Sequence, residues 1–139
     1  MTSSSQVNCI FYQLSRARRK ALRYWKQRLA DTDVTAIQAM VLLFLFEEDM
    51  ITSAELGSRT WLDSATLAGV LDRLQKAGLV ERRRHPADRR SIQVCLTGTG
   101  RQLAERLARI REQANAEFLD CLTAEEEMIL RALLKKLAL

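Results

Sequence analysis

The stretch from Arg82 to Arg90 holds five arginines in nine residues, Arg82, Arg83, Arg84, Arg89 and Arg90, and a single acid, Asp88. Guanidinium forks match phosphate oxygens, and an arginine on a protruding tip can enter the narrow minor groove, where the potential is most negative. Asp88 is expected to pin the Arg90 guanidinium through a bidentate contact that orients the long side chain in advance. Other chemistries lack materials. His85 is the sole histidine and sits in this loop, so no nucleophile–base–orienter set can be assembled. Cys9, Cys95 and Cys121 have no zinc-like spacing with it or with each other. The glycines are too few and too scattered for a phosphate loop. No catalytic residue, metal site or cofactor is therefore expected, and the thiols read as free cysteines of a cytoplasmic protein.

A second pattern lies just upstream. Asp63 is placed to cap a helix in which Leu67, Val70, Leu71 and Leu74 follow the i, i+3, i+4, i+7 spacing of one buried face. Away from that face its start carries Ser64, Ala65, Thr66, Ala68 and Gly69, with Arg73 one turn on. A helix lying in the major groove, about 12 Å wide, needs small groups where its backbone comes close. The Ser64 and Thr66 hydroxyls can donate to phosphate or base edges. Gly69 costs on the order of 1 kcal/mol relative to alanine inside a helix, which a close approach would offset. The expected DNA contacts are Ser64, Ala65, Thr66, Ala68, Gly69 and Arg73 on the helix, and Arg82, Arg84, Asp88, Arg89 and Arg90 on the arginine-rich element. A capped surface helix without any ligand would look the same locally; the neighbouring arginines favour double-stranded DNA.

These residues need a frame. The 139-residue chain suits one compact domain. Val7, Ile10, Phe11, Leu14, Ala17, Ala21, Trp25 and Leu29 form the apolar stripe of a long first helix. Thr35 is placed to cap a second helix, apolar nearly all round, that runs to about Glu47 and should be the most buried element. Thr52 and Glu55 have capping-box spacing for a short third helix. Gly78 is placed to close the fourth. Leu79–Arg83 and Ile92–Leu96 read as two strands of a hairpin with Pro86 at its tip, and the alternation of Ile92, Val94 and Leu96 with Gln93 and Cys95 predicts a half-buried strand. Thr97 and Thr123 start two further helices. The fold class is mainly α with a small β-hairpin wing: a winged helix-turn-helix over 32–99, flanked by helices at 6–30 and 100–139, all within one domain of 1–139. The flanking helices are amphipathic with nothing else to cover them, so they are expected to form a homodimer.

Charge supports this plan. The formal net charge is +5. Met1 to Ala30 contains no acid, against Arg16, Arg18, Arg19, Lys20, Arg23, Lys26 and Arg28, whereas Glu117, Asp120, Glu125, Glu126 and Glu127 collect near the C-terminus. The start is polar with no signal-peptide pattern, and the longest apolar run, Ala39 to Phe46, is far below the roughly 20 residues of a membrane span, so no membrane partner is expected.

Four motifs together carry a resemblance: Leu62-Asp63-Ser64-Ala65-Thr66-Leu67, then Leu71-Asp72-Arg73-Leu74-Gln75-Lys76-Ala77-Gly78-Leu79-Val80, then Asp88-Arg89-Arg90-Ser91, then Leu96-Thr97-Gly98-Thr99-Gly100. The stretch from Leu56 to Gly100 resembles the MarR family of bacterial transcription regulators. The resemblance implies a triangular homodimer on a pseudo-palindromic site, acting as a repressor. It implies a recognition helix, Ser64 to Lys76, in the major groove, and wing residue Arg90, with Asp88 beside it, in the minor groove. It also implies release of DNA by a small ligand or an oxidant. A small lipophilic or phenolic effector is expected in a crevice between the first and second helices, near Phe11, Tyr12 and Phe44.

The recognition helix is most similar to the organic-hydroperoxide-sensing branch, which uses a cysteine in the first helix. Cys9 lies in that helix, but judged by Tyr12, Ser15 and Arg16 the sensing position falls on Asn8, and one residue rotates a side chain by about 100°. Ala36 and Ala39 stand where that branch favours tyrosines. Cys9 therefore reads as a small buried thiol, with a thiol-based peroxide sensor as the alternative. A winged-helix protein-interaction module is the other alternative, and the five wing arginines argue against it.

Overall fold

The computed structural model describes residues 7–138; the polar start at 1–5, and residues 6 and 139 at the outer ends of the flanking segments, lie outside them. Among the described residues six helices and three strands follow in the order α1 (Ile10–Arg28), α2 (Ala36–Glu47), β1 (Ile51–Thr52), α3 (Ser53–Thr60), α4 (Ser64–Lys76), β2 (Val80–Arg84), β3 (Ile92–Leu96), α5 (Gly98–Phe118) and α6 (Ala124–Leu137). The helix starts obey local chemistry. Thr35, Thr52 and Thr123 each form a capping box with Gln38, Glu55 and Glu126: the threonine hydroxyl accepts from the N3 amide, and the N3 side chain accepts from the threonine amide. Each such cap contributes about 1 kcal/mol. The Glu55 carboxyl is held below its usual range by these bonds to the Thr52 amide and hydroxyl.

The core is built on α2, whose Ala39, Val41, Leu42, Leu43 and Leu45 are buried among Leu56, Leu67, Leu71, Leu74, Val94 and Leu107. A helix with apolar residues on every side finds cover only in the centre of the fold, with α3 and α5 packed against it. The sheet has three antiparallel strands in the order β1-β3-β2, not the expected two. Ile51 pairs with Val94, and Val80, Arg82 and Arg84 pair with Leu96, Val94 and Ile92. A two-residue strand is too short to show alternation in sequence. It also changes the burial of β3. Ile92 is exposed while Val94, Cys95 and Leu96 are all buried, because β3 is the central strand and its end runs beside Asp49, whose Oδ1 accepts from the Leu96 amide at 3.0 Å. The half-buried alternation expected for this strand is therefore absent.

The junction of sheet and α5 accounts for the Leu96–Gly100 motif. The Thr97 hydroxyl donates to the Gly78 carbonyl at 2.6 Å, and the Thr97 amide donates to the Leu79 carbonyl at 3.1 Å. A Cβ at Gly100 would lie 1.8 Å from that Leu79 oxygen, so only glycine lets the first turn of α5 seat here. Gly78 itself sits at φ +72°, the left-handed conformation that ends α4.

The two ends of the chain are different. The apolar stripe of α1 packs at its C-terminal end through Trp25 and Leu29, while Val7, Ile10, Phe11 and Leu14 stay exposed. α6 has no buried residue, and Met128, Ile129, Leu133, Leu134 and Leu137 are exposed. No helix among the described residues is long and apolar enough to cross a membrane.

Candidate nucleic-acid interface

The small-residue face of α4 is open. Leu67, Val70, Leu71 and Leu74 turn inward, while Ser64, Ala65, Thr66 and Ala68 are exposed and Gly69 is half-buried. A Cβ at Gly69 would meet nothing within 4 Å, so packing inside the chain does not require glycine there. The Asp63 carboxylate accepts from the Thr66 amide at 2.8 Å and from the Thr66 hydroxyl at 2.7 Å. These two bonds hold the Asp63 carboxyl below the usual aspartate range. They also revise one expectation: the Thr66 hydroxyl proton is engaged by the cap, leaving Ser64 as the exposed hydroxyl donor of this turn.

The hairpin arginines divide by neighbour. Arg82 points back to α4: its Nη1 donates to Asp72 Oδ1 at 2.6 Å and to Gln75 Oε1 at 3.1 Å, and its Nη2 donates to the Ala68 carbonyl at 3.3 Å. Arg82 thus ties the wing to α4, and these three bonds leave it less free than its hairpin neighbours to meet an external anion. Arg83, on the other side of β2, pairs with Glu81, which raises its pKa further. Among the described residues, Arg73, Arg84, Arg89 and Arg90 have no acid within ion-pair distance. Four guanidinium groups are therefore left for an external anion.

The tip between the strands is a fixed turn. The Ala87 and Asp88 amides donate to His85 Nδ1 at 3.1 and 3.3 Å, the Ser91 amide donates to the Asp88 carbonyl at 3.0 Å, and the His85 amide donates to the Ser91 carbonyl at 2.9 Å. Asp88 Oδ1 accepts from the Arg90 backbone amide at 3.0 Å. The expected contact with the Arg90 guanidinium is absent; an aspartate two residues before an amide closes an Asx turn more readily than it reaches the end of a long side chain. Asp88 shapes the backbone from which Arg90 projects.

A separate cavity of about 490 Å³ lies between α1, α2 and α5, lined by Trp25, Ile37, Met40, Phe44 and Phe118 among others. Phe44 was expected here. Phe11 and Tyr12 lie outside it: Phe11 is 80% exposed, because the first half of α1 packs on no other element among the described residues. Trp25 and Phe118 supply the aromatic lining instead, an arrangement that depends on α5 folding back across α1. Glu47 and Arg111 pair at 2.7 Å on its wall, and the Tyr24 hydroxyl, also lining it, donates to Glu117 at 2.5 Å, which raises the phenol pKa.

Cys9 is exposed at the N-cap of α1 and not buried, since that end of the helix packs on no other element among the described residues. Ala39 is fully buried in the core and Ala36 lines the cavity, so neither offers a polar group to a thiol. Cys95 is buried, and desolvation raises its pKa. Sequence reasoning missed Asp72 and Gln75 as partners of Arg82, because that contact crosses from helix to strand over ten residues.

The model of the MarR family matches residues 34–92. The chain is 33% identical over 117 residues to the HTH-type transcriptional regulator SarZ of Staphylococcus saprophyticus, covering 84% of this chain and 78% of that protein. It superposes on a mutant MarR of E. coli complexed with operator DNA with a TM-score of 0.87, 30% identity and 99% coverage of both chains. It superposes on Bordetella bronchiseptica BpsR, whose DNA binding is regulated by 6-hydroxynicotinic acid, with a TM-score of 0.85, 30% identity, and coverage of 93% and 98%. These relatives are transcription regulators, not enzymes.

Proposed function

The chain belongs to the MarR family of DNA-binding transcription regulators, and from that premise we propose that it is a cytoplasmic repressor that binds a pseudo-palindromic operator as a homodimer and leaves it when a small effector binds. One observation carries the reading. The Arg82 clamp fixes the wing to α4, so that Arg84, Arg89 and Arg90 and the open face of Ser64, Ala65, Ala68, Gly69 and Arg73 form one preset surface. Within 32–99, α4 enters the major groove and Arg90 the adjacent minor groove. The exposed apolar faces of α1 and α6 support pairing of the segments 6–30 and 100–139 with those of a second copy. The acid-free surface of α1 and the glutamates that open α6 add complementary charge.

The effector reading rests on the apolar cavity, whose volume suits a small aromatic molecule and whose walls belong to elements of both the dimer frame and the DNA-binding core. The Glu47–Arg111 pair on its wall can exchange partners with a polar group of such a ligand. Titration of DNA from upstream of the protein's own gene, followed by fluorescence anisotropy against a scrambled duplex of equal length, tests the whole reading. Preference for the upstream duplex by several kcal/mol, one dimer per site, is the expected result. Equal affinity for both duplexes, or binding by a monomer, refutes it.

A further inference from the structure

We propose that Trp61 is a DNA-backbone contact, its indole ring lying against a sugar–phosphate strand and its N–H donating to a phosphate beside the start of α4. The inference rests on the DNA-binding reading above and adds a residue to it. Trp61 closes α3 at φ 57° and ψ 24°, in the left-handed region. Glycine is favoured at such helix ends because it has no Cβ to clash, and a bulky residue there is an outlier. Among the described residues the side chain gains little in exchange. It is 81% exposed, with its ring at the edge of a groove and not in the core. Asp33 and Met50 share this positive φ, and what sets Trp61 apart is the large aromatic left almost wholly exposed, which points to a gain made outside the chain.

The surroundings offer hydrogen-bond donors. Trp61 borders a groove of about 910 Å³ between α3 and α4, which Ser53, Ser58, Ser64, Ala68 and Arg82 also line. Ser53 and Ser64 are the first residues of α3 and α4, so two helix N-termini border it, beside the C-terminal end of α3 at Trp61. Asp63, the one acid in its lining, stays charged but turns its carboxylate into the α4 cap, and Arg82, the one cation, is paired with Asp72, so the hydroxyls of Ser53, Ser58 and Ser64 are the donors left to a phosphate. In a helix-turn-helix the helix before the recognition helix crosses the backbone, which brings the turn between them to a phosphate strand. An indole serves there twice, with a flat apolar face for the sugar and one N–H donor for the phosphate.

The test compares wild type, Trp61→Phe and Trp61→Gly on two probes: the duplex upstream of the protein's own gene, and a mixed-sequence duplex at low salt. A backbone contact serves both, so Trp61→Gly, which loses the ring as well as the donor, should weaken binding to each by more than about tenfold, the value of one charge-assisted hydrogen bond. Trp61→Phe, which keeps a ring but no donor, should fall between. The Tm of Trp61→Gly should be unchanged or raised, since glycine relieves the left-handed strain. Either duplex should quench wild-type tryptophan fluorescence, and most of the quench should vanish in Trp61→Phe, which retains only Trp25. Unchanged affinity in Trp61→Gly makes the residue an idle or protein-facing aromatic and overturns the inference. A lowered Tm, or a loss confined to the upstream duplex, overturns it as well, by making the ring a packing group or a base reader. Wild-type protein that binds neither duplex overturns this inference together with the DNA-binding reading, whereas failure of the Trp61 variants alone leaves that reading intact.

Discussion

Arg82 and Arg90 carry the same charge on the same hairpin, yet their removal should leave opposite signatures. Arg82 makes three hydrogen bonds to α4, at 2.6, 3.1 and 3.3 Å, with its side chain 26% exposed. Its ion-pair partner Asp72 is 68% exposed, so the charge–charge part is screened and worth less than about 1 kcal/mol. Solvent also replaces some of the lost hydrogen bonds, which leaves about 1–2 kcal/mol of stability for Arg82→Ala. For a chain of this size that lowers Tm by about 3–8 °C. Arg90 projects from the tip without an acid partner, so Arg90→Ala should leave Tm unchanged. On DNA the order reverses. Arg90→Ala should weaken specific binding by about 1–3 kcal/mol and flatten the log–log salt slope by about 0.9, the value of one phosphate neutralised. Arg82→Ala should weaken binding through a loosened wing while leaving the slope as in wild type. Thermal melts together with anisotropy titrations at several salt concentrations on one duplex separate the two. An Arg82→Ala protein with wild-type Tm and a flattened slope would show that Arg82 contacts phosphate, and the clamp argument would be wrong.

Asp88 offers a test of sign. Asp88→Asn keeps the acceptor for the Arg90 amide and removes a negative charge, so DNA binding should hold or tighten; Asp88→Ala opens the turn and should weaken binding although it removes the same charge, and equal tightening by both variants would reduce Asp88 to a charge. The carboxyls of Asp63 and Glu55 are depressed in the folded state, so the stability they confer is fully present above the unfolded carboxylate range and is lost as pH falls through their lower folded values. Tm should therefore decline below about pH 4, less steeply in Asp63→Asn, and a pH profile identical to wild type would remove Asp63 from the account. Organic hydroperoxide should leave DNA binding intact in both wild type and Cys9→Ser, because Ala36 and Ala39 offer the thiol no hydrogen bond; peroxide-sensitive binding rescued by Cys9→Ser would establish the thiol-sensor alternative.

The elements with local causes were legible in the sequence. Capping residues Thr35, Thr52, Asp63, Thr97 and Thr123 start the helices where the sequence places them, because a cap involves atoms only three residues apart. The leucine spacing of α4 likewise fixed which face turns inward, and hence which small residues remain outside. Contacts between distant elements were not legible. The β1–β3 pairing, the Arg82–Asp72 clamp and the cavity aromatics Trp25 and Phe118 arise only when α5 and the sheet close over α2. Asp88 shows the boundary most plainly. The sequence determined that an acid stands two residues before Arg90. Only the tertiary turn decided that its oxygen meets the Arg90 amide, because an Asx turn is closed by the short reach of the aspartate side chain, whereas the guanidinium end depends on where the whole hairpin points.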